Sequence, residues 1–155
     1  MQGKEKFLRR FIHNYAELTK GFTRLLKQNV PFIWDEIVDQ YFDSLKHMLT
    51  HAPLLHPPNY NHDYFLYLAA SNSTIGMVLV HEYEFHNEHV IYYLSRNLHL
   101  TNIKYSHVEK LALVAVQAIQ CFRHCILLCK TIVVEVDYVH GCMKLHQFKG
   151  SDSSL

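Results

Sequence analysis

The stretch from Tyr64 to Val80, YFLYLAASNSTIGMVLV, constrains the fold of this chain more than any other segment. Aromatic and β-branched residues on both sides of a short polar bend predict two strands joined as a hairpin. Gly76 in the second strand lets another backbone come close. The first strand ends in two small residues, Ala69 and Ala70. They are open to two interpretations, packing at a strand end or the loss of a functional side chain.

Three further segments predict the order β-β-β-α-β. NEHVIYYLS, residues 87–95, is typical of a third strand, and residues 105–128 of one long helix with a broad apolar face. KTIVVEVD, residues 130–137, follows as a fourth strand. Short connections favour antiparallel pairing of the first three strands, and the helical crossover places the fourth strand parallel to an earlier one. The predicted fold class is α/β with a mixed sheet.

The first third of the chain has the spacing of helices. Apolar residues from Phe7 to Leu18 recur at helical intervals, a break is expected at Gly21, and Pro31 ends the pattern. Asp35 then has the character of an N-cap. The helix that it starts carries an apolar stripe formed by Ile37, Val38, Tyr41, Phe42, Leu45, Met48 and Leu49.

Prolines and a shift in composition divide the chain. Residues 1–52 form a helical appendage, and residues 53–62, which hold three prolines, form an extended linker. Residues 63–148 form the sheet domain, and the polar tail, residues 149–155, is expected to be disordered.

Charge and hydropathy exclude some classes of protein. The formal net charge of +1 gives no global field toward nucleic acid or an acidic membrane. The N-terminus has early charge without an apolar h-region, and no apolar run is long enough to cross a bilayer. We therefore expect a cytoplasmic or nuclear location with no membrane partner, and four reduced cysteines.

Histidines and cysteines invite a metal interpretation, which their spacing does not favour. The thirteen histidines share no ligand spacing, so polar surface positions are the better interpretation. Cys121, Cys125 and Cys129 recur every fourth residue and predict a packing stripe along one helix face.

Several motifs occur together in one order. FLRRFIHNYAELTKGFTRLLKQNVPFIWDE (7–36) resembles the segment that joins the reverse transcriptase thumb to RNase H in gypsy-type retrotransposon polyproteins. APLLHPP (52–58) matches the linker of that family, and HVIYYLSRNL (89–98) looks like its strand ending in Ser-Arg. KYSHVEKLALVAV (104–116) resembles the start of its long helix. The resemblance runs from Phe7 to Asp137.

The resemblance implies a C-terminally truncated RNase H-like domain, preceded by helices of the thumb or connection. Such enzymes hydrolyse the RNA strand of RNA–DNA hybrids with carboxylates that hold two divalent metals, normally Mg²⁺. The catalytic and metal positions carry over to Glu109 and Asp137, and Ala69 stands where the first Asp belongs. The last carboxylate of the family falls beyond this chain. We expect weak or absent Mg²⁺ binding and impaired hydrolysis. Without the resemblance, the favoured interpretation is structural: Glu109 is a first-turn helix acid and Asp137 a solvent-facing strand end.

The resemblance also implies partners, an RNA–DNA hybrid and the upstream polymerase domain of the parent polyprotein. Five residues flank the expected site and offer hydroxyl, amide or ammonium groups to phosphates: Ser71, Asn72, Tyr105, Ser106 and Lys110. Ordinary polar loop chemistry explains them equally well. Two other functions stay open, a non-catalytic connection-type scaffold or nucleic-acid-binding module, and an element remnant without function.

Overall fold

The chain folds around one mixed sheet with a long helix on one face. The structure is a computed structural model and describes residues 8–12, 14–23, 25, 30–52, 54–83, 88–136, 138–139 and 142–143. A 3₁₀ turn, Arg9–Phe11, precedes the helices α1 (Tyr15–Leu18), α2 (Lys20–Thr23) and α3 (Glu36–Thr50), the strands β1 (Tyr64–Ala70), β2 (Thr74–Glu82) and β3 (Glu88–Asn97), the helices α4 (Leu100–Ile103) and α5 (His107–Ile126), and the strands β4 (Thr131–Glu135), β5 (Tyr138–Val139) and β6 (Cys142–Met143).

The sheet has the order β3-β2-β1-β4, and the predicted pairing is confirmed. β1 pairs antiparallel with β2, with Ala69 opposite Gly76, and β2 pairs antiparallel with β3. β4 lies parallel to β1, because the crossover through α5 returns the chain to the starting end of the sheet. β5 and β6 form a separate two-stranded ladder.

Two apolar clusters lie on the two faces of the sheet. Alternate residues of β1, including Leu66, Leu68 and Ala70, pack with α5 on one face. Tyr67 belongs to a smaller cluster on the other face. The predicted apolar face of α5 is present, and Phe122 is buried against Tyr92, with ring centroids 5.3 Å apart. Burying such a ring contributes roughly 2–3 kcal/mol. Cys125 is buried on the same helix, as expected of a packing stripe.

The N-terminal segment differs from the continuous helix that the apolar spacing from Phe7 to Leu18 predicted. Short turns replace it, and the chain bends at Thr19, whose hydroxyl donates to the carbonyl oxygen of Tyr15 at 2.9 Å. The break predicted at Gly21 is wrong, because Gly21 lies inside α2. Its role is to allow close approach, because a Cβ at Gly21 would clash with the ring of Tyr41.

Helix α3 begins as predicted but does not bury its stripe. The Asp35 carboxylate accepts from the Val38 amide at 3.0 Å, so Asp35 is the N-cap. Val38 is fully buried, whereas Ile37 is 56% exposed and Phe42 38% exposed. The stripe has the right period, and α1, α2 and Trp34 pack against this helix, with the Trp34 and Phe42 ring centroids 5.6 Å apart. The other stripe residues, Tyr41, Leu45, Met48 and Leu49, are half-buried, so the stripe is only partly covered.

Polar contacts fasten the first helices to the sheet. The amide of Ala16 donates to Oγ of Ser95 at 2.9 Å, and Asn97 Nδ2 donates to the Ala16 carbonyl at 3.1 Å. The hydroxyl of Thr74 donates to the Glu17 carboxylate. The helical segment is therefore bound at the end of β3 and at the β1–β2 turn. The predicted domain boundaries stay predictions, and the tail, residues 149–155, lies outside the described residues.

The placement of some histidines corrects the expectation that they are polar surface residues. His81 is fully buried, and His56, His62 and His89 lie close to its ring. These four residues come from three different segments of the chain, so no regular spacing in the sequence reveals that they meet. In the described part of the chain, none of the helices combines the length and apolar character that spanning a membrane requires.

Candidate functional site

A pocket of about 390 Å³ opens where β1 leads into the turn toward β2. Its wall comes from three places: the end of β1 with its turn, the segment before α5, and the first turn of α5. The lining residues are Ala70, Ser71, Asn72, Tyr105, His107 and Lys110. Four of the five residues predicted to contact nucleic acid, all but Ser106, therefore lie together here.

The turn that forms one wall is held by Ser71. Its hydroxyl donates to the Thr74 carbonyl at 3.0 Å and accepts from the Thr74 amide at 2.9 Å, and its own amide donates to the same carbonyl at 2.8 Å. A short polar side chain that satisfies turn backbone in this way fixes the loop locally. Ser71 thus shapes the pocket, while Asn72 stands exposed at its rim.

Lys110 supplies the one buried charge among the lining residues. Its side chain lies under the turn, the residue is only 6% exposed, and Nζ donates to the main-chain carbonyl of Asn72 at 3.2 Å. No carboxylate in the described part of the chain pairs with this ammonium. A neutral carbonyl compensates a buried cation incompletely, so an anion in the pocket is electrostatically favoured.

Glu109, the predicted catalytic carboxylate, serves the start of α5. Its Oε2 accepts from the amide and from the hydroxyl of Ser106, each at 2.8 Å, and the Glu109 amide donates back to Ser106 Oγ at 3.4 Å. These bonds form a capping box. The hydrogen bonds from Ser106 lower the pKa of Glu109 below its usual range. Ser106 and Glu109 are both exposed, and neither lines the pocket.

The two alanines at the end of β1 differ in surroundings. Ala70 packs with the α5-side cluster and lines the pocket. Ala69 is fully buried, and the alternation of side chains along a strand places it on the face of Tyr67. Ala69 is not among the pocket-lining residues, and its assignment as the position of the missing Asp stays a prediction.

The described residues do not make a two-metal site. No group of three His, Cys, Asp or Glu side chains in the described ranges could hold a metal ion. Asp137 lies outside the described residues. Glu135, at the end of β4, contacts His107 instead, with Oε1 3.4 Å from Nε2. The described donors therefore fit an anion better than they fit Mg²⁺.

His107 is the lining side chain that sequence reasoning missed. It is the first residue of α5, directly after the N-cap Ser106, and it links the start of that helix to the end of β4 through Glu135. The capping sequence Ser-x-x-Glu marks a helix start and could have directed attention to this position.

Comparison with known proteins gives a family match across the sheet. The family model described as an RNase H-like domain found in reverse transcriptase matches residues 34–134. The retrovirus-related Pol polyprotein from transposon 297 of Drosophila melanogaster is 32% identical over 81% of this chain and 11% of its own length. The Pol polyprotein from transposon 412 of the same species is 35% identical over 56% of this chain and 7% of its own. The chain thus spans about a tenth of these relatives.

Solved structures support the fold. A foamy viral protease–reverse transcriptase in complex with double-stranded DNA has a TM-score of 0.72 at 20% identity and covers 88% of this chain and 24% of its own. The foamy viral enzyme in complex with an RNA/DNA hybrid has a TM-score of 0.68 at 19% identity, over 89% of this chain and 18% of its own. At such identities the likeness concerns the fold alone.

Proposed function

The chain belongs to the family of RNase H-like domains found in reverse transcriptase, and from this premise we propose that it binds a nucleic-acid duplex without efficient hydrolysis. The observation that carries the proposal is Lys110, a buried ammonium in a pocket whose lining side chains include no carboxylate. That pocket lies at the end of β1, where the resemblance places the metal-binding carboxylates. A cationic pocket there suits phosphate better than a metal ion.

Impaired hydrolysis is proposed from the carboxylates. The side chain of Ala69 has no lone pair to offer a metal ion. The carboxylate of Glu109 already accepts hydrogen bonds from the amide and the hydroxyl of Ser106. Mg²⁺ loses its waters reluctantly and requires anionic oxygen ligands in good geometry. Without such a set of ligands, no metal ion is held in place to generate the hydroxide that attacks the RNA strand.

Backbone contact is proposed from the donors at the pocket. Lys110 offers a charged donor, Asn72 an exposed amide and Tyr105 an exposed hydroxyl. Donors of these kinds contact phosphate and sugar, and they position a duplex without reading its sequence. We infer that an RNA–DNA hybrid, the nucleic acid implied by the family, is bound through its backbone.

The binding experiment is a salt titration of a fluorescently labelled RNA–DNA hybrid, followed by anisotropy. The wild-type chain should bind, and affinity should fall linearly on a log–log plot as salt rises. Lys110→Gln should weaken binding and reduce the slope of log affinity against log salt concentration by about one. Lys46→Gln, a lysine on α3 paired with Asp43, is the matched control and should behave as wild type. Equal affinity in both variants would refute the role of Lys110, and no binding at low salt would favour a remnant without function.

The cleavage experiment uses the same hybrid with Mg²⁺ or Mn²⁺. We expect no turnover above that of a sample without protein. Robust turnover that disappears in Glu109→Gln would overturn the proposal of impaired hydrolysis, because it would require a working carboxylate at that position.

A second candidate function is a scaffold for the upstream polymerase domain. Exposed apolar side chains before and on α3 favour it: Phe32 is 70% exposed, Ile33 60% and Ile37 56%. Contiguous apolar surface of this kind marks protein contacts. Replacing Phe32 and Ile33 with Ser should reduce retention of the chain on an immobilised polymerase domain of the same polyprotein class, without changing hybrid binding.

A further inference from the structure

Four histidines gather at one end of the sheet, away from the pocket. His56 and His62 come from the segment before β1, His81 from β2 and His89 from the start of β3. The ring centroid of His81 lies 6.4 Å from that of His56, 6.3 Å from His62 and 5.9 Å from His89. His81 is fully buried, and the other three are half-buried.

Within this histidine cluster, hydrogen bonds from His56 attach the linker to β3. The structure describes residues 54–62 of the linker. The His56 amide donates to the carbonyl of Val90 at 2.9 Å. His56 Nε2 lies 3.1 Å from His89 Nδ1, so one imidazole donates and the other accepts. That bond requires an unprotonated nitrogen on one ring. Two imidazolium ions cannot form it.

The buried ring of His81 has no hydrogen-bond acceptor that could stabilise its protonated form among the described residues. Neither of its ring nitrogens has a hydrogen-bond partner in the described part of the chain, and the same is true of His56 Nδ1. A buried polar nitrogen without a partner is rare. For an imidazole it is tolerable while the ring is neutral, but a charged ring in the same place would be strongly unfavourable.

Among the described residues, no carboxylate lies against the ring of His81. The described titratable side chains around it are three imidazoles, two phenols and two thiols: His56 and His62 from the linker, His89 from β3, Tyr64 from β1, Tyr83 after β2, and Cys125 and Cys129 behind Tyr64. The acids nearby are engaged elsewhere. Asp63 pairs with Lys130 at 3.0 Å, and Glu88 accepts from the Tyr67 hydroxyl. Glu82 follows His81 on β2, so its side chain lies on the opposite face of the sheet, near Tyr67.

We propose that these four histidines form a proton-sensitive latch, which holds the linker on the end of the sheet while the imidazoles are neutral. Protonation of the cluster places like charges within a few ångströms of one another and breaks the His56–His89 bond. The linker then detaches, and the connection between α3 and β1 becomes free to move. This device is independent of nucleic-acid binding at the pocket.

The sign of the pH dependence follows from His81. Burial, and then the neighbouring histidines, hold the pKa of His81 below its ordinary value of 6.5. The open state therefore binds more protons than the closed state. The latch contributes its full stability above pH 6.5 and loses it progressively as the pH falls below that value. Each proton taken up on opening raises the opening constant by up to about tenfold per pH unit.

The test is amide hydrogen exchange of the whole chain between about pH 7.5 and about pH 5.5, the range in which histidines titrate. EDTA is present, and rates are corrected for intrinsic exchange. The His56 amide and its linker neighbours should lose protection by about tenfold or more, while β1 and β2 keep theirs. Unchanged linker protection, or loss in step with β1 and β2, would overturn the latch.

Variants separate the cluster from other histidines. His81→Phe fills a similar volume without a titrating group and should reduce the pH dependence of linker exchange severalfold. His89→Gln, at a half-buried site, provides the same test if His81→Phe does not fold. His124→Gln changes an exposed histidine on α5 and should leave the profile as in wild type. A pH dependence that persists unchanged in both cluster variants contradicts the proposal.

Discussion

The carboxylate of Glu109 accepts hydrogen bonds from both the amide and the hydroxyl of Ser106, each at 2.8 Å. The residue that the family resemblance marks for metal binding is thus engaged in starting α5. The Ser106 hydroxyl also receives the amide of Glu109, so each residue satisfies a backbone donor of the other. Recruitment of Glu109 to a metal would sacrifice part of this cap.

Removal of the cap should destabilise the chain measurably. Ser106→Ala deletes the hydroxyl and should lower the free energy of unfolding by about 1 kcal/mol, the usual cost of losing an N-cap. Urea denaturation followed by far-UV circular dichroism measures this. Thr101→Ala, an exposed hydroxyl on α4, is the matched control. A Ser106→Ala variant as stable as wild type would show that the capping box contributes nothing to stability.

The same cap predicts that the folded chain loses stability at acidic pH. Because the folded-state pKa of Glu109 is below its ordinary value of 4.5, its contribution is present above pH 4.5 and is lost as the pH falls through the folded-state pKa. Glu109→Gln keeps an acceptor without the charge and should flatten this part of the stability profile. A titration of Glu109 by carboxyl NMR that gave a pKa above 4.5 would contradict the assigned cap.

Ala69→Asp tests whether this alanine stands at a lost ligand position. Because Ala69 is fully buried, the new carboxylate should lower the free energy of unfolding by about 1–3 kcal/mol or more in the absence of metal. If the position is that of a metal ligand, Mg²⁺ should recover part of the lost melting temperature. Ala69→Asn, which adds a polar group without charge, should not respond to Mg²⁺. Equal melting temperatures of Ala69→Asp with and without Mg²⁺ would reject the assignment.

Gly21→Ala tests the close packing of α2 on α3. A methyl group at this position would clash with the Tyr41 ring, so either the ring or the helix must move. We expect a loss of about 1–3 kcal/mol, the usual range for overpacking, despite the better helix propensity of alanine. Thermal unfolding measures it. In a Tyr41→Leu background the same substitution should be neutral or stabilising. An equal loss in both backgrounds would show that the ring is not the cause.

The periodic features of the sequence predicted the elements that depend on local chemistry. The aromatic and β-branched residues of YFLYLAA and TIGMVLV predicted β1 and β2, and the long apolar face of residues 105–128 predicted α5. Asp35 was predicted as an N-cap from its own side chain and its neighbours, and Val38 confirms it. Four residues now found around one pocket were grouped in advance through the family motifs, which place the ends of β1 and the start of α5 at one edge.

Tertiary structure alone decided which of these side chains are free for chemistry. The sequence by itself determined the order of elements, the mixed sheet and the absence of an Asp at Ala69, because periodicity and composition are local properties. It did not determine that Lys110 is buried under the turn after β1, that Gly21 packs against Tyr41, or that His56, His62, His81 and His89 meet. Which residues from distant segments share a buried space, and which charged group that space encloses, depends on how the helices and the linker pack on the sheet.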